Sequence, residues 1–455
     1  MTLYHKLIIS ITILGSPLAG WSLAPSPDGQ VVEESVDDSE DLDRAVREDV
    51  VNIPDEADDI DIPIPTFIKR GANHIIYNGA DWSRLRNAFE MSRTAPISIV
   101  HIGDSHVQAD FNTGTTRELL QYDFGNAGRG LIAPLKLCGT NQPTDYVFQS
   151  RNSWNAVKLM NNSWIQSVGF TGTSIRPSSS TSELTIGTQD EEDYNPFSSV
   201  TIFHNGKLTV KDVKDSEGNQ LHFRAIPSRD YTQIVLASLA TRVNVEFASA
   251  GDLTIYGAAL SGERPGVFYH AIGNNGATYD SYNRIGTVGV GINPLQPALV
   301  IISLGTNEAF GKLGGNPAQF KSAVHRLVSN IRNANPDALI LLTTPMECHR
   351  SVVTTSKVRV RRKKGKGYRT VTKTNKSYAV NRNIAPLRKA ILDYGKQHGV
   401  AVYDWYEIAG GNGASASWIN AELFAKDRVH HTRTGYHLQG RLLYDALMDA
   451  LRSQN

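Results

Sequence analysis

The sequence predicts an α/β protein: an open, doubly wound parallel sheet with helices on both faces, three layers in all, interrupted by an inserted all-β sandwich. Three observations carry that expectation. First, five short runs are almost continuously apolar and rich in β-formers: ISIVHI (97–102), VFYHAI (267–272), ALVIISL (298–304), ALILLTT (338–344) and VAVYDW (400–405). Runs of that length and composition suit strands buried on both faces. Second, stripes at helical spacing fill most of the gaps between them. Phe320, Val324, Leu327, Val328 and Ile331 make one, Leu387, Ile391 and Tyr394 another, and Leu438, Leu442, Leu443, Ala446, Leu447 and Leu451 a third. Third, residues 140–262 show only alternating patterns such as SVTIFHNGKLTV and RVNVEFA, set between Gly, Ser, Asn and Asp turns. Strand, helix, strand, helix implies the doubly wound sheet, and the helix-free stretch implies the insert.

Taken in order, the elements justify these boundaries. Residues 1–24 have a short basic start (His5, Lys6), an apolar stretch from Leu7 to Leu14 and small residues near Ala19–Ala24. That is the layout of a secretory signal peptide, with an uncleaved anchor as the alternative. The run is short for a membrane span of about 20 residues, and Pro17 interrupts it. Residues 25–65 read as an acidic disordered spacer: between 25 and 62, fifteen acids face only Arg44 and Arg47, a net charge of −13. Folded sequence begins at about 66, and Trp82, Leu85, Phe89 and Met91 are spaced roughly as one face of a helix over 80–93. The α/β domain then covers 66–139 and 263–455, with the sandwich between. Within the second part, residues 352–381 hold ten Lys or Arg and no acid. The alternation on either side of a KKGKG turn predicts a basic β-hairpin over 352–378. Only two cysteines occur, Cys138 and Cys348; pairing and two buried thiols both remain open, and their spacing supports no metal site.

In open α/β sheets ligands bind beyond the carboxyl ends of the strands, so the residues there are the candidates. They are Gly103-Asp104-Ser105 after the first strand, Gly273 to Thr278 after the second and Gly305-Thr306-Asn307-Glu308 after the third. Asp427-Arg428-Val429-His430-His431 stands just before the final helix. Acyl transfer through serine needs a hydroxyl, an imidazole to take its proton, a carboxylate to orient the imidazole, and donors for the oxyanion. Ser105, His430 and Asp427 supply the first three as candidate catalytic residues. The amides of Ser105 and Gly276 and the side chain of Asn307 are the candidate oxyanion donors.

These blocks resemble the SGNH or GDSL-type serine esterases: IGDSH, GNNGAT, GTNE and DRVHHT, in that order along the chain. The resemblance implies a flavodoxin-like three-layer hydrolase domain. No GxSxG elbow is present, so the usual α/β-hydrolase fold is not indicated. GDSHVQAD, FGNAGRG, PGVFYHAIGNNGA, DWY and DRVHHTRTGYHLQG look like the branch that contains peptidoglycan O-acetylesterases. In that branch a carbohydrate-binding-like β-domain interrupts the catalytic domain, as the insert at 140–262 does here. The resemblance implies removal of O-acetyl groups from cell-wall sugars in the envelope, periplasm or medium, with no metal and no cofactor. Its partner would be an acetylated glycan, not nucleic acid, with membrane association only if residues 1–24 stay attached. His106 stands where leucine or isoleucine is more usual, and could add a polar group beside the acetyl pocket.

Each assignment has a rival. Asp104, His106 and His431 are expected to support the site rather than react; His431 is the rival base, but the Asp427-to-His430 spacing matches the family. Asp404 is a rival acid. Glu308 is expected to cap the turn that follows it, and His437 to be structural. A zinc site from His430, His431 and His437 has unsuitable spacing. Rival activities are a xylan or mannan acetylesterase, a general lipase or acylhydrolase, a thioesterase and an acetyltransferase. From another class comes a glycan-binding scaffold with an inert triad. The basic hairpin is either a solvated surface or a trap for an anionic polymer, and it could also hold the acidic spacer. Peptidoglycan carries carboxylates whereas xylan and mannan are nearly neutral, which favours peptidoglycan.

Overall fold

The computed structural model describes residues 63–189, 195–361 and 368–453. The expected signal segment, the acidic stretch 25–62 and the tip of the basic hairpin lie outside those residues. In chain order the strands begin with β1 (Ile75–Ile76), β2 (Pro96–Gly103), β3 (Gly130–Ile132), β4 (Tyr146–Gln149), β5 (Trp154–Lys158) and β6 (Thr173–Pro177). Next come β7 (Thr181–Thr188), β8 (Phe197–Lys214), β9 (Phe223–Pro227), β10 (Tyr231–Ala240), β11 (Arg242–Ser261) and β12 (Gly266–Gly273). The last are β13 (Leu299–Ser303), β14 (Leu339–Thr343), β15 (His349–Arg361), β16 (Tyr368–Val380) and β17 (Ala401–Tyr403).

The five apolar runs supply the parallel strands of one six-stranded sheet, ordered β1-β17-β14-β13-β2-β12. β1 is its one antiparallel member, at the edge beside β17. Among the parallel strands the order is second, first, third, fourth, fifth, the flavodoxin-like winding with its switch point between the first and third. Helices Phe111–Phe124 and Arg433–Arg452 pack together as one layer, and Pro317–Ala334 with Ile384–His398 as the other. The doubly wound α/β class is therefore observed. Register sets where the strands stop: Gly103 aligns with Gly273 on one side and with Ser303 on the other. Three strands thus end flush, and the loops beyond them start from one rim.

Helix Ser83–Glu90 buries Leu85 and Phe89, and Trp82 just before it is buried too, but Met91 is exposed. Its step of two from Phe89 turns it off the 3.6-residue stripe, which corrects the expected face.

Between β2 and β12 lies a nine-stranded antiparallel sheet. The long strands β8 and β11 run through it, with shifts of register that bend them, and β11 links β3, β6, β7 and β8. Its own core includes Phe148, Ile186, Phe197, Val245 and Phe247. The sheet also takes in residues 130–132, upstream of the alternating stretch.

Strands β15 and β16 pair with each other as a two-stranded ribbon, most of whose described residues fall in a compact unit distinct from the one that holds the two larger sheets. Cys138 and Cys348 are both free and buried; burial pushes the Cys138 thiol up to about 12. Among the described residues no helix is long and apolar enough to cross a membrane.

Candidate active site

The opening of the site is set by what β2 does at its end. After Gly103 the chain turns at once into the short helix Ser105–Gln108, with Asp104 as its cap: Asp104 Oδ1 accepts from the His106 amide at 3.0 Å. That turn has no room for a side chain. A Cβ on Gly103 would sit 2.3 Å from Val107 Cγ2, and one on Gly273 would sit 2.0 Å from the Gln108 nitrogen. Glycine at both strand ends lets the serine turn fold back flat against the rim.

The segment before the last helix brings the other groups. Asp427 Oδ1 accepts from the amides of Val429 (2.9 Å) and His430 (3.0 Å), so its carboxylate is locked before it meets the imidazole. Its Oδ2 lies 2.5 Å from His430 Nδ1. Between them Arg428 adopts a left-handed φ of +60°, a conformation that costs a non-glycine residue free energy and tends to mark functional turns. His430 Nε2 then lies 2.7 Å from Ser105 Oγ. With Nδ1 donating to the carboxylate, Nε2 is the acceptor that a serine proton requires. Ser105 and His430 are 4% and 2% exposed, so bulk water screens this chain of contacts little.

Burial pushes the Asp427 carboxyl up, but the adjacent His430 and the hydrogen bonds to its side chain and backbone outweigh that and hold it below the usual range. Asp104 behaves oppositely. Burial raises it to about 7, against the lowering effect of the His106 amide and of His430.

The three candidate oxyanion donors belong to one neighbourhood. Asn307 Nδ2 donates to the carbonyl of Ala277 at 3.1 Å, beside Gly276, and to Asp104 Oδ2 at 3.3 Å, beside Ser105. Gly276 sits at φ +76° in the turn closed by the Ala277 amide on Asn274.

The rivals are placed elsewhere. Asp404 is held by Arg388 through Nε at 2.9 Å and Nη2 at 2.6 Å, and by the Thr344 hydroxyl at 2.9 Å. His431 lies among Trp418, Phe424 and Tyr436, where burial lowers it to about 3. His106 packs 5.1 Å from the His430 ring and pairs through Nδ1 with the Tyr436 hydroxyl at 3.1 Å. Burial and the neighbouring His430 and His431 hold it well below its ordinary value. His437 contacts the Thr115 hydroxyl at 2.7 Å. Glu308 does cap, but not its own turn: Oε1 accepts from the Tyr279 amide at 2.7 Å, at the start of helix Tyr279–Ile285. Burial raises it to about 8. Among the described residues no three His, Cys, Asp or Glu side chains gather as metal ligands.

Two features escape a block-by-block reading of the sequence. Gln108 spans from the serine helix to the glycine loop: its Oε1 accepts from the Asn275 amide at 2.7 Å, and its Nε2 donates to Asn141 Oδ1 at 2.7 Å. Asp110 forms a buried ion cluster with Arg117 and Arg129, at 3.0 and 2.6 Å. Asp145 joins through Arg129 at 2.5 Å. The blocks GDSHVQAD and FGNAGRG therefore meet as Asp110 and Arg129, a signal present in the sequence without its meaning.

A flavodoxin-like sheet with a hydroxyl, an imidazole and a carboxylate in contact beyond its strand ends is an arrangement chemically able to perform acyl transfer. Residues 238–438 match the sequence model of the GDSL-like Lipase/Acylhydrolase family. The match spans somewhat under half of the chain, and the chain is a carboxylic ester hydrolase. The match starts beyond Ser105, within β10 of the antiparallel sheet. Among solved structures, "Peptidoglycan O-acetylesterase in action, 5 min" superposes with a TM-score of 0.63 at 20% identity, covering 84% of this chain and 99% of that one. A lipase/acylhydrolase from Enterococcus faecalis covers 42% of this chain and 80% of its own at 18% identity, TM-score 0.28. A family two carbohydrate esterase from Cellvibrio japonicus covers 70% and 97% at 12% identity, TM-score 0.27. No curated protein matches the sequence.

Proposed function

We propose that this esterase removes O-acetyl groups from a polysaccharide, peptidoglycan above all, through an acyl-enzyme on Ser105. The observation that carries the reading is the unbroken contact from Ser105 Oγ through His430 to Asp427, at 2.7 and 2.5 Å. Ser105 Oγ attacks the acetyl carbonyl while His430 Nε2 takes its proton. The oxyanion is met by the amides of Ser105 and Gly276 and by Asn307 Nδ2, which exchanges its longer 3.3 Å contact with Asp104 for it, each such donor contributing about 3 kcal/mol in the transition state. Collapse expels the sugar oxygen, which His430 protonates. Water, deprotonated by the same imidazole, then attacks the acetyl-serine; the second intermediate collapses with cleavage of the bond to Oγ, His430 returns the proton to Ser105 Oγ, and acetate leaves. Asp427 keeps Nδ1 occupied and offsets the imidazolium charge.

The glycan assignment is supported by the neighbour whose printed name is a peptidoglycan O-acetylesterase, since the likeness covers 84% of the chain and so includes the antiparallel sheet. That sheet would position the glycan. The signal-like residues 1–24 support action outside the cytoplasm. Burst kinetics on an aryl acetate test the nucleophile: Ser105→Ala should lose on the order of 10⁶-fold in kcat, and retained turnover would refute the assignment. Acetate release from O-acetylated peptidoglycan against acetylated xylan tests the substrate; a preference for xylan would overturn it.

A further inference from the structure

From the ribbon β15–β16 we infer that the protein carries a dedicated binding surface for a carboxylate-bearing polymer, separate from its catalytic residues. The inference rests on the proposed function for the polymer's identity, the peptidoglycan strand. Residues 352–381 contain ten Lys or Arg and no Asp or Glu. A merely solvated ribbon of two strands is marginal in stability and gains from opposite charges paired across it. Here Lys357, Arg359 and Lys373 on the described strands have like charge, and the stretch's own sequence holds no acid to offset the cost. An anionic partner would.

The side chains are arranged for one. Alternation places Lys357 and Arg359 on one face of β15 and Val358 and Val360 on the other. Lys357, Arg359, Lys373 and Lys376 are all exposed. The Arg359 guanidinium lies over the Tyr368 ring, 5.7 Å from its centroid, and that tyrosine is 61% exposed. An aromatic face beside a fixed guanidinium offers a sugar ring a stacking surface and a carboxylate a two-pronged donor. Lactyl and stem-peptide carboxylates recur along a peptidoglycan strand, so several such contacts can form together. The gain would be retention on the polymer between turnovers, with the chemistry of the ester bond unchanged.

The test compares wild type with a Lys357→Gln, Arg359→Gln, Lys373→Gln variant of the full chain. Co-sedimentation with insoluble O-acetylated peptidoglycan is read from roughly 0.01 to roughly 0.15 M salt, where the screening length falls from ~30 to ~8 Å. Wild type should bind more weakly as salt rises, and the variant should bind roughly tenfold more weakly at low salt, the sum of three screened pairs. A variant carrying Lys357→Arg and Lys373→Arg should bind as wild type. Aryl acetate turnover should be equal in all three, which separates this proposal from the catalytic reading. If no protein turns over the aryl acetate yet the binding pattern holds, the catalytic reading fails and the surface stands. Unchanged or tighter binding by the neutralised variant, as expected if the chain's own acidic segment occupied the ribbon, overturns the proposal. Equal capture by neutral acetylated xylan overturns it too.

Discussion

Along β2 every residue from Ile97 to Gly103 is buried, whereas along β10 buried Thr232, Ile234 and Leu236 alternate with half-exposed Tyr231, Gln233 and Val235. The parallel strand is sealed on both faces, so it can offer polar groups to solvent only where it stops. The antiparallel strand offers every second side chain along its length. Chemistry in the first region is accordingly compressed into the loops at one rim, while the second region presents a broad half-polar surface over a separate core. A single rim residue should therefore matter to rate and little to stability, and a core residue of the antiparallel sheet should do the reverse.

The largest effect that would sharpen this contrast is at Asp427. Replacing it with Asn leaves the shape but presents the wrong hydrogen-bond partner to His430 Nδ1, so kcat on an aryl acetate should fall about 10⁴-fold. The unfolding midpoint in denaturant should move little by comparison; a collapse of the fold in its place would make Asp427 a structural residue. Next is Phe247→Ala in the antiparallel core, where the side chain is fully buried. It should cost about 3–5 kcal/mol in denaturant unfolding, while kcat on the small ester stays at the wild-type value under folding conditions. A parallel loss of kcat would show that the two regions are not separable in this way.

Gln108→Leu probes a side chain that ties the glycine loop to the serine helix and to Asn141. It should lower kcat about tenfold to a hundredfold with KM for the aryl acetate unchanged, because a slightly displaced Gly276 amide fails only in the transition state. A rise in KM alone would deny it that role. The smallest effect is on pH dependence. Glu308 moves from about 4.5 to about 8 on burial, so the folded protein holds this proton more tightly than the unfolded chain. The proton's contribution to stability is complete below about 4.5, declines as pH rises and is gone above about 8. Glu308→Gln should flatten that part of the thermal-midpoint profile, and identical slopes in the two proteins would reject the shift.

The sequence is most legible where a pattern is local. The runs at 97–102, 298–304 and 338–344 announce buried strands because both faces must be apolar, and Asp427 finds His430 because three residues of turn suffice to join them. Met91 misleads because a step of two does not continue a helical stripe. Glu308, Gln108 and the Asp110–Arg129–Asp145 cluster are not readable in their roles. Each acts on a partner distant along the chain, and a buried carboxylate looks the same on the page whether it caps its own turn or a helix 29 positions earlier.

What the sequence determined by itself is the class of each segment and the residue types at each strand end, since burial period and turn chemistry are short-range. What only the tertiary structure decided is their meeting: the flush ends of β2, β12 and β13, the 2.7 Å approach of His430 to a serine 325 residues away, and the diversion of Asp404 to Arg388. Those outcomes depend on strand order and register, which arise from packing the whole sheet between its helix layers and are not written in any one stretch of the chain.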